Sequence, residues 1–298
     1  MNWESFVYYF SFIYPIVLIL GIICAIDVVM KGRTTQGIIA WSICLISFPF
    51  LTVPFYLFFG GRKFHGYIKA RRKGDSKLKD TGSLMMKNLQ EHIIEGICPW
   101  MTALENIAKL PTTMGNSVQL LINGEAKFKA LFAALEKAEK YILVQYYMVH
   151  GDSTGQQFKE ILLRKSKEGL KIYFLYDSIG SYELSNSYLK DLMAGGINVS
   201  NFGSYRFVKN KFQLNFRNHR KAVIIDGHTA FCGGLNVGDE YMGLNEYYSP
   251  WRDTHLKISG PAALCVQLTF VEDWFFMQNK SPESLNWTVE AAGEEQLL

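Results

Sequence analysis

Three side chains that lie close together in the sequence have the types that phosphodiester chemistry requires. A phosphodiester carries negative charge that repels nucleophiles, so a site that attacks it needs a neutral imidazole, a cation for the phosphate oxygens and an amide donor. His219, Lys221 and Asn236 supply these in turn. The stretch runs Asn218-His219-Arg220-Lys221-Ala222-Val223-Ile224-Ile225-Asp226, with Gly233-Gly234-Leu235-Asn236 after six further residues. His219 and Lys221 are two apart on a β-branched run, which in a strand projects both from one face. Asp226-Gly227 is a turn signal, and Thr229 to Cys232 reads as the returning strand of a hairpin.

The elements that must position these residues are legible upstream. Val118 to Ile122 reads as a strand ended by Asn123-Gly124, and Phe128, Leu131, Phe132 and Leu135 recur at helical spacing. A strand over Tyr141 to Val149, a helix over Gln156 to Glu168, a strand over Lys171 to Tyr176, a helix over Ser187 to Ala194 and a strand over Ile197 to Asn201 follow. Strands alternating with helices predict an α/β domain with a central mixed or mostly parallel sheet flanked by helices. Asp177-Ser178-Ile179-Gly180-Ser181 falls at a strand end, where ligand loops of open α/β sheets lie and where plain turns lie too. From Arg206 to Lys221 there are six basic residues and no acid, an approach suited to an anionic substrate of either lipid or nucleic-acid origin.

A second His-x-Lys pair, His255 and Lys257, lacks the rest of the pattern. Ala262 stands where an aspartate is required, and no glycine pair with asparagine follows. Gly260-Pro261 leads instead into a helix with Leu264, Leu268, Val271 and Phe275 on one face.

The 298 residues carry a net charge of +4 and are 49% hydrophobic, but the apolar residues concentrate in the first sixty positions. Phe6 to Met30 and Gly37 to Phe59 are each long enough for a spanning helix, which needs about 20 residues. The start, Met1-Asn2-Trp3-Glu4-Ser5, has no basic residue, so an anchor is expected rather than a cleaved signal. Lys31 and Arg33 lie between the two runs, against Arg62, Lys63, Lys69, Arg71, Arg72 and Lys73 after the second. That asymmetry predicts two transmembrane helices, with the N-terminus and everything from residue 61 cytoplasmic and only the connector outside. The expected division is a membrane anchor over 1–60, a basic juxtamembrane segment and linker over 61–115, and a catalytic half-domain over 116–298. Five scattered cysteines, with no Cys-x-x-Cys pair, predict neither a zinc site nor a disulfide framework.

The His-x-Lys-x4-Asp spacing with its Gly-Gly-x-Asn resembles the signature of the phospholipase D superfamily. Within it the chain is most similar to bacterial cardiolipin synthases, through the two apolar runs, Asn123-Gly124, Tyr146-Tyr147, Asp177 with Gly180-Ser181, Gly238-Asp239-Glu240-Tyr241, Trp251-Arg252-Asp253-Thr254-His255 and Asp273-Trp274. The resemblance implies a phosphatidyltransferase of the bacterial inner membrane that joins two phosphatidylglycerols into cardiolipin and releases glycerol through a phosphatidyl-histidine. His219 is then nucleophile or acid/base. Lys221 and Asn236 hold the phosphate beside Gly233 and Gly234, Asp226 supports the site, and Asp253 hydrogen-bonds His219 and fixes its tautomer. No metal or other cofactor is required. Family members carry two such motifs and this sequence carries one, so the implied partners are anionic membrane lipid and a second half-site, from a dimer mate or a C-terminal half. No nucleic acid is expected. A membrane-tethered dimeric nuclease and an inactive lipid-binding subunit are the alternatives.

Overall fold

The computed structural model describes residues 3–31, 35–60, 78–94, 98–202 and 217–292. The basic cluster at 62–73, together with Arg206, Lys209 and Lys211, lies outside the described residues. The chain divides into two compact units, residues 1–65 and 66–298.

The first unit begins with a helix, Trp3–Lys31. Its segment Ser11–Met30, with mean hydropathy 2.6, is the one helix among the described residues long and apolar enough to cross a membrane. The second apolar run is not the single spanning helix its composition predicts. It forms two short helices, Thr35–Ser47 and Pro49–Phe59. The break is at Phe48, whose backbone leaves the helical region (φ −133°, ψ 57°), because Pro49 has no N–H to continue the ladder. The two pieces fold back on each other. Tyr56 meets Trp41 edge to face at 5.3 Å and donates a hydrogen bond to Asp27 at 2.7 Å, while Phe50 stacks on Tyr14 at 5.9 Å. Pro49–Phe59 therefore runs parallel to the long helix and antiparallel to Thr35–Ser47, so residues 35 and 60 emerge at the same end as Lys31. Gly21 makes room for the bend: a Cβ there would lie 2.5 Å from the carbonyl oxygen of Leu45, the group Pro49 cannot bond.

The second unit is built on a seven-stranded mixed sheet in the order β1-β7-β6-β5-β2-β3-β4. The strands are β1 Ser117–Ile122, β2 Tyr141–Tyr146, β3 Lys171–Asp177, β4 Asn198–Phe202, β5 Ala222–Ile225, β6 Thr229–Gly233 and β7 Thr254–Ser259. β2, β3 and β4 are parallel, and every other pairing is antiparallel. All six residues of β2 are buried, as the continuous apolar run of a strand covered on both faces demands. Helices Asn123–Glu136, Ser153–Lys167 and Asn186–Ala194 cover one face, with Phe128, Phe158, Phe174, Val223 and Phe231 in that core. Helix Ala262–Gln278 covers the other, packing Phe270, Val271 and Trp274 on Leu143, Leu175 and Ile224. Residues 78–94 belong to this layer too, since Met85 and Leu89 are buried against Leu264.

β5 runs antiparallel between β2 and β6, pairing Ala222 with Gln145. Its beginning consequently lies beyond the C-terminal ends of the parallel strands β2 and β3. That edge is where ligand loops of α/β sheets collect.

Candidate active site

His219 and Lys221 do not lie in a strand. β5 starts at Ala222, and residues 217–221 form an irregular approach held by carboxylates on both sides. Asp177, at the end of β3, accepts the N–H groups of Ile179 and Gly180 on one oxygen and that of Asn218 on the other, all within 3.0 Å. Asp273, on helix Ala262–Gln278, accepts from the side chains of Asn218 (2.7 Å), Gln145 (2.8 Å) and Arg220. Buried carboxylates with several donors are strongly directional anchors. Asn218 is thus pinned at its backbone by Asp177 and at its amide by Asp273, and His219 projects from the pinned turn.

What brings His219 and Lys221 together is an aromatic ring. Tyr147, just past the end of β2, stacks on the His219 imidazole at 3.9 Å between centroids and 22° between planes. The Lys221 ammonium stands 5.2 Å from the same ring and donates to the His219 carbonyl at 2.7 Å. Burial pulls the Lys221 ammonium below its ordinary pKa, and the charge of Asp253 opposes that pull. The pair opens onto a cleft of about 360 Å³ whose walls include Gln145, Cys232, Gly233 and Leu110. An imidazole flat on a ring, beside a half-desolvated cation and facing open space, is suited to attack or protonation at an anionic ester.

The other expected site residues have different employment. Asp226 stands at the opposite end of β5 from His219, in the hairpin turn, with φ +55° followed by Gly227 at +85°. Its carboxylate accepts the N–H groups of Glu139, Lys140 and Tyr141 at 2.8–2.9 Å, which fastens the start of β2. It is 5% exposed and anchors the fold one strand-length from His219. Asn236 is 6% exposed and its amide is committed within the fold, accepting from Met148 N–H at 3.1 Å and donating to the Tyr241 hydroxyl at 2.8 Å. Asp253 accepts from Thr254 N–H at 2.7 Å. Among the described residues no hydrogen bond joins it to His219; its charge acts on Lys221 instead. The two glycines are needed for packing. A Cβ at Gly233 would strike the backbone and ring of His255 at 2.6 Å, and one at Gly234 would strike the Asp253 carboxylate at 2.1 Å.

Sequence reasoning missed Lys127 and left Tyr147, Asp177 and Asp273 without roles. Lys127 is fully buried, donates to the Asn236 carbonyl at 3.0 Å and stands 3.6 Å from the Phe128 ring. Burial pushes its pKa far below the ordinary lysine value. A signal existed, because Lys127 falls within the stripe Gly124, Phe128, Leu131 and Leu135 that turns inward. His255 is fully buried as well, with neither ring nitrogen hydrogen-bonded among the described residues. Burial first, then the charges of Lys127 and Lys221, lower its pKa to about 3.

The sequence that builds this site is similar to that of known proteins. Residues 131–254 match the model of the cardiolipin synthase, phospholipase D-like domain, and residues 19–61 match that of the phospholipase D-nuclease N-terminal region. Cardiolipin synthase A of Pseudomonas entomophila is 41% identical over 290 residues, covering 92% of this chain and 58% of the relative. That of Pseudomonas fluorescens is 39% identical over 278 residues, with the same coverage. Residues 131–254 therefore form a phospholipase D-like domain of the kind found in cardiolipin synthases. The chain spans a little over half the length of these cardiolipin synthases. Among solved structures, NucT from Helicobacter pylori matches 54% of the chain and 98% of its own length at 14% identity and a TM-score of 0.41. Phosphatidylserine synthase from Haemophilus influenzae matches 58% of the chain and 40% of its own length, at 17% identity and a TM-score of 0.42. Within the cardiolipin synthase match lie Tyr147, Asp177, His219, Lys221 and Asp253, the residues gathered at the cleft or holding it.

Proposed function

We propose that the chain supplies one half-site of a membrane phosphatidyltransferase that converts two phosphatidylglycerols into cardiolipin and glycerol. The observation that carries this reading is the meeting of His219 and Lys221 on the Tyr147 ring at the mouth of the cleft. An imidazole nitrogen of one half-site attacks phosphorus, a P–N bond forms, and the P–O bond to glycerol breaks. The imidazole of a second half-site protonates the departing glycerol, then takes the proton from the hydroxyl of a second phosphatidylglycerol as that oxygen displaces histidine. Lys221 neutralises the phosphate oxygens in both steps. His255 does not serve as the second imidazole, because it is buried and neutral. The second half-site therefore comes from another copy or from a further motif-bearing segment.

The test is incubation of the membrane-embedded chain with phosphatidylglycerol, followed by acid quench and mass analysis. Glycerol release with cardiolipin formation, and a phosphatidyl adduct on a peptide containing His219, are expected. Cleavage of single-stranded DNA without any lipid product would overturn the reading in favour of a nuclease.

We also propose that the long helix makes the single crossing while the helical hairpin enters the bilayer and returns. Lys31, Arg33 and the six basic residues at 62–73 then share one side with the catalytic unit, and the base-free N-terminus lies on the other, which fits a cytoplasmic catalytic unit. This replaces the two-helix expectation. Single cysteines at Thr34 and Ser76 are expected to resist an impermeant reagent in intact cells, and one at Asn2 to react; labelling at Thr34 alone would restore the two-crossing topology.

A further inference from the structure

Helix Pro99–Ala108 is amphipathic and faces the wrong way for a helix of a water-soluble domain. None of its residues is fully buried. The more covered positions are Met101 and Glu105, one turn apart, and the Glu105 carboxylate accepts the N–H of Thr112 at 2.9 Å. Trp100, Leu104 and Ile107, at the helical spacing of a single face, are 63%, 56% and 80% exposed. The side turned to the protein carries Met101 and Glu105, while Trp100, Leu104 and Ile107 face outward. An exposed apolar face of this kind marks a contact with another phase or molecule.

Its position ties it to the chemistry. Leu110, two residues past the helix, packs in the cluster of Met85, Leu89 and Leu264 and also lines the cleft that holds His219 and Lys221. The helix therefore borders the site. We propose that the face of Trp100, Leu104 and Ile107 seats in the headgroup layer of an anionic bilayer. A phospholipid headgroup can then enter the cleft while its acyl chains stay in the membrane. This rests on the reading of the chain as a membrane phosphatidyltransferase and adds the surface through which it takes its substrate.

Charge and tether favour a bilayer over a protein as occupant. The helix has one acid, Glu105, which faces inward, and Lys109 follows it, exposed. The basic residues at 62–73 lie in the segment linking Gly60 to Leu78, which even fully extended reaches only about 60 Å, so the domain stays near the membrane that holds the N-terminal helix. Tryptophan at a helix start with aliphatics on the same face is a composition typical of the interface.

The test uses the full chain, its native cysteines replaced, in vesicles containing phosphatidylglycerol. An environment-sensitive fluorophore is attached at Leu104→Cys or Ile107→Cys, with exposed Lys190→Cys as control. Blue-shifted emission and quenching by brominated lipid at 104 and 107, but not at 190, are expected. Quenching by aqueous iodide equal to that at 190 would overturn the proposal. So would a blue shift that vanishes on dilution to one chain per vesicle, which would mean that a second copy covers the face. These readouts need no turnover, so they stand or fall independently of the catalytic reading. In a second arm, Leu104→Asn with Ile107→Asn is expected to slow turnover of bilayer phosphatidylglycerol about tenfold while sparing a soluble short-chain analogue. Equal loss on both substrates would count against an interfacial role.

Discussion

The molecule contains two His-x-Lys pairs, and they have opposite fates. His219 and Lys221 lie outside regular structure, at the open edge of the sheet, with a ring beneath them and a cleft in front. His255 and Lys257 lie in a genuine strand, where a period of two puts both on the face toward helix Asn123–Glu136. There His255 is wedged against Gly233, its ring nitrogens without a hydrogen bond among the described residues, while Lys257 edges a separate cavity. The same two residue types therefore make an open pair beside a cleft or a packing element according to what surrounds them. The open pair is the one excluded from the strand.

Substitutions can break or sharpen this contrast. The largest effect is expected from His219→Ala, which should lower turnover by about three orders of magnitude or more while leaving thermal stability nearly unchanged, since the ring is exposed. Wild-type turnover in that variant would remove His219 from the chemistry.

His255→Leu should do the reverse, sparing turnover at neutral pH and changing acid stability. A histidine held at about 3 against an ordinary 6.5 binds its proton only in the unfolded chain between those values. Stability attributable to it is complete above pH 6.5 and is lost as pH falls toward 3, by an amount on the order of 4 kcal/mol. Unfolding followed from pH 7 to pH 4 should show a shallower acid decline in the variant than in the parent. Parallel curves would show that His255 titrates normally.

Asp226→Asn probes the far end of β5. Replacing one of two carboxylate oxygens by an amide removes an acceptor for Glu139 N–H and the charge behind the other bonds, a loss of about 2–3 kcal/mol. A lower denaturation midpoint with unaltered turnover per folded molecule is expected. Lost turnover at full stability would return Asp226 to the active site. The smallest change belongs to Tyr147→Phe, which keeps the ring under His219 and loses only a 3.4 Å contact from Arg217. Turnover should fall less than about threefold, whereas Tyr147→Ala should cost about tenfold in kcat/KM by freeing the imidazole.

Much of the fold could be read from the sequence, because alternation of apolar strands and amphipathic helices is a local signal. Helix Asn186–Ala194 and strand Lys171–Asp177 begin and end within a residue of where periodicity puts them. The site was legible as composition but not as geometry. A motif of nine residues suggests proximity, yet His219 and Asp226 are held apart by the length of β5. The partners that matter, Tyr147, Asp177 and Asp273, come from three other elements that only the sheet order brings together. The helical hairpin was hidden for a different reason. Hydropathy counts apolar residues and is blind to direction, so Gly37 to Phe59 scores as one span although a proline at its middle reverses the path.

The order of the strands also bears on how the domain comes to exist. β1, the first of the seven to be synthesised, is an edge strand whose sole neighbour in the sheet is β7, the last. Until β7 leaves the ribosome, β1 has no ladder to join, and β6 has only one side filled. Such long-range closure is slow and leaves strand edges open to wrong pairing. β7 also carries His255 into the core and draws Asp253 toward Lys221, so the electrostatics of the cleft are assembled in the same event that shuts the sheet. A nascent chain would thus have an incomplete cleft, and need protection, until β7 has been made.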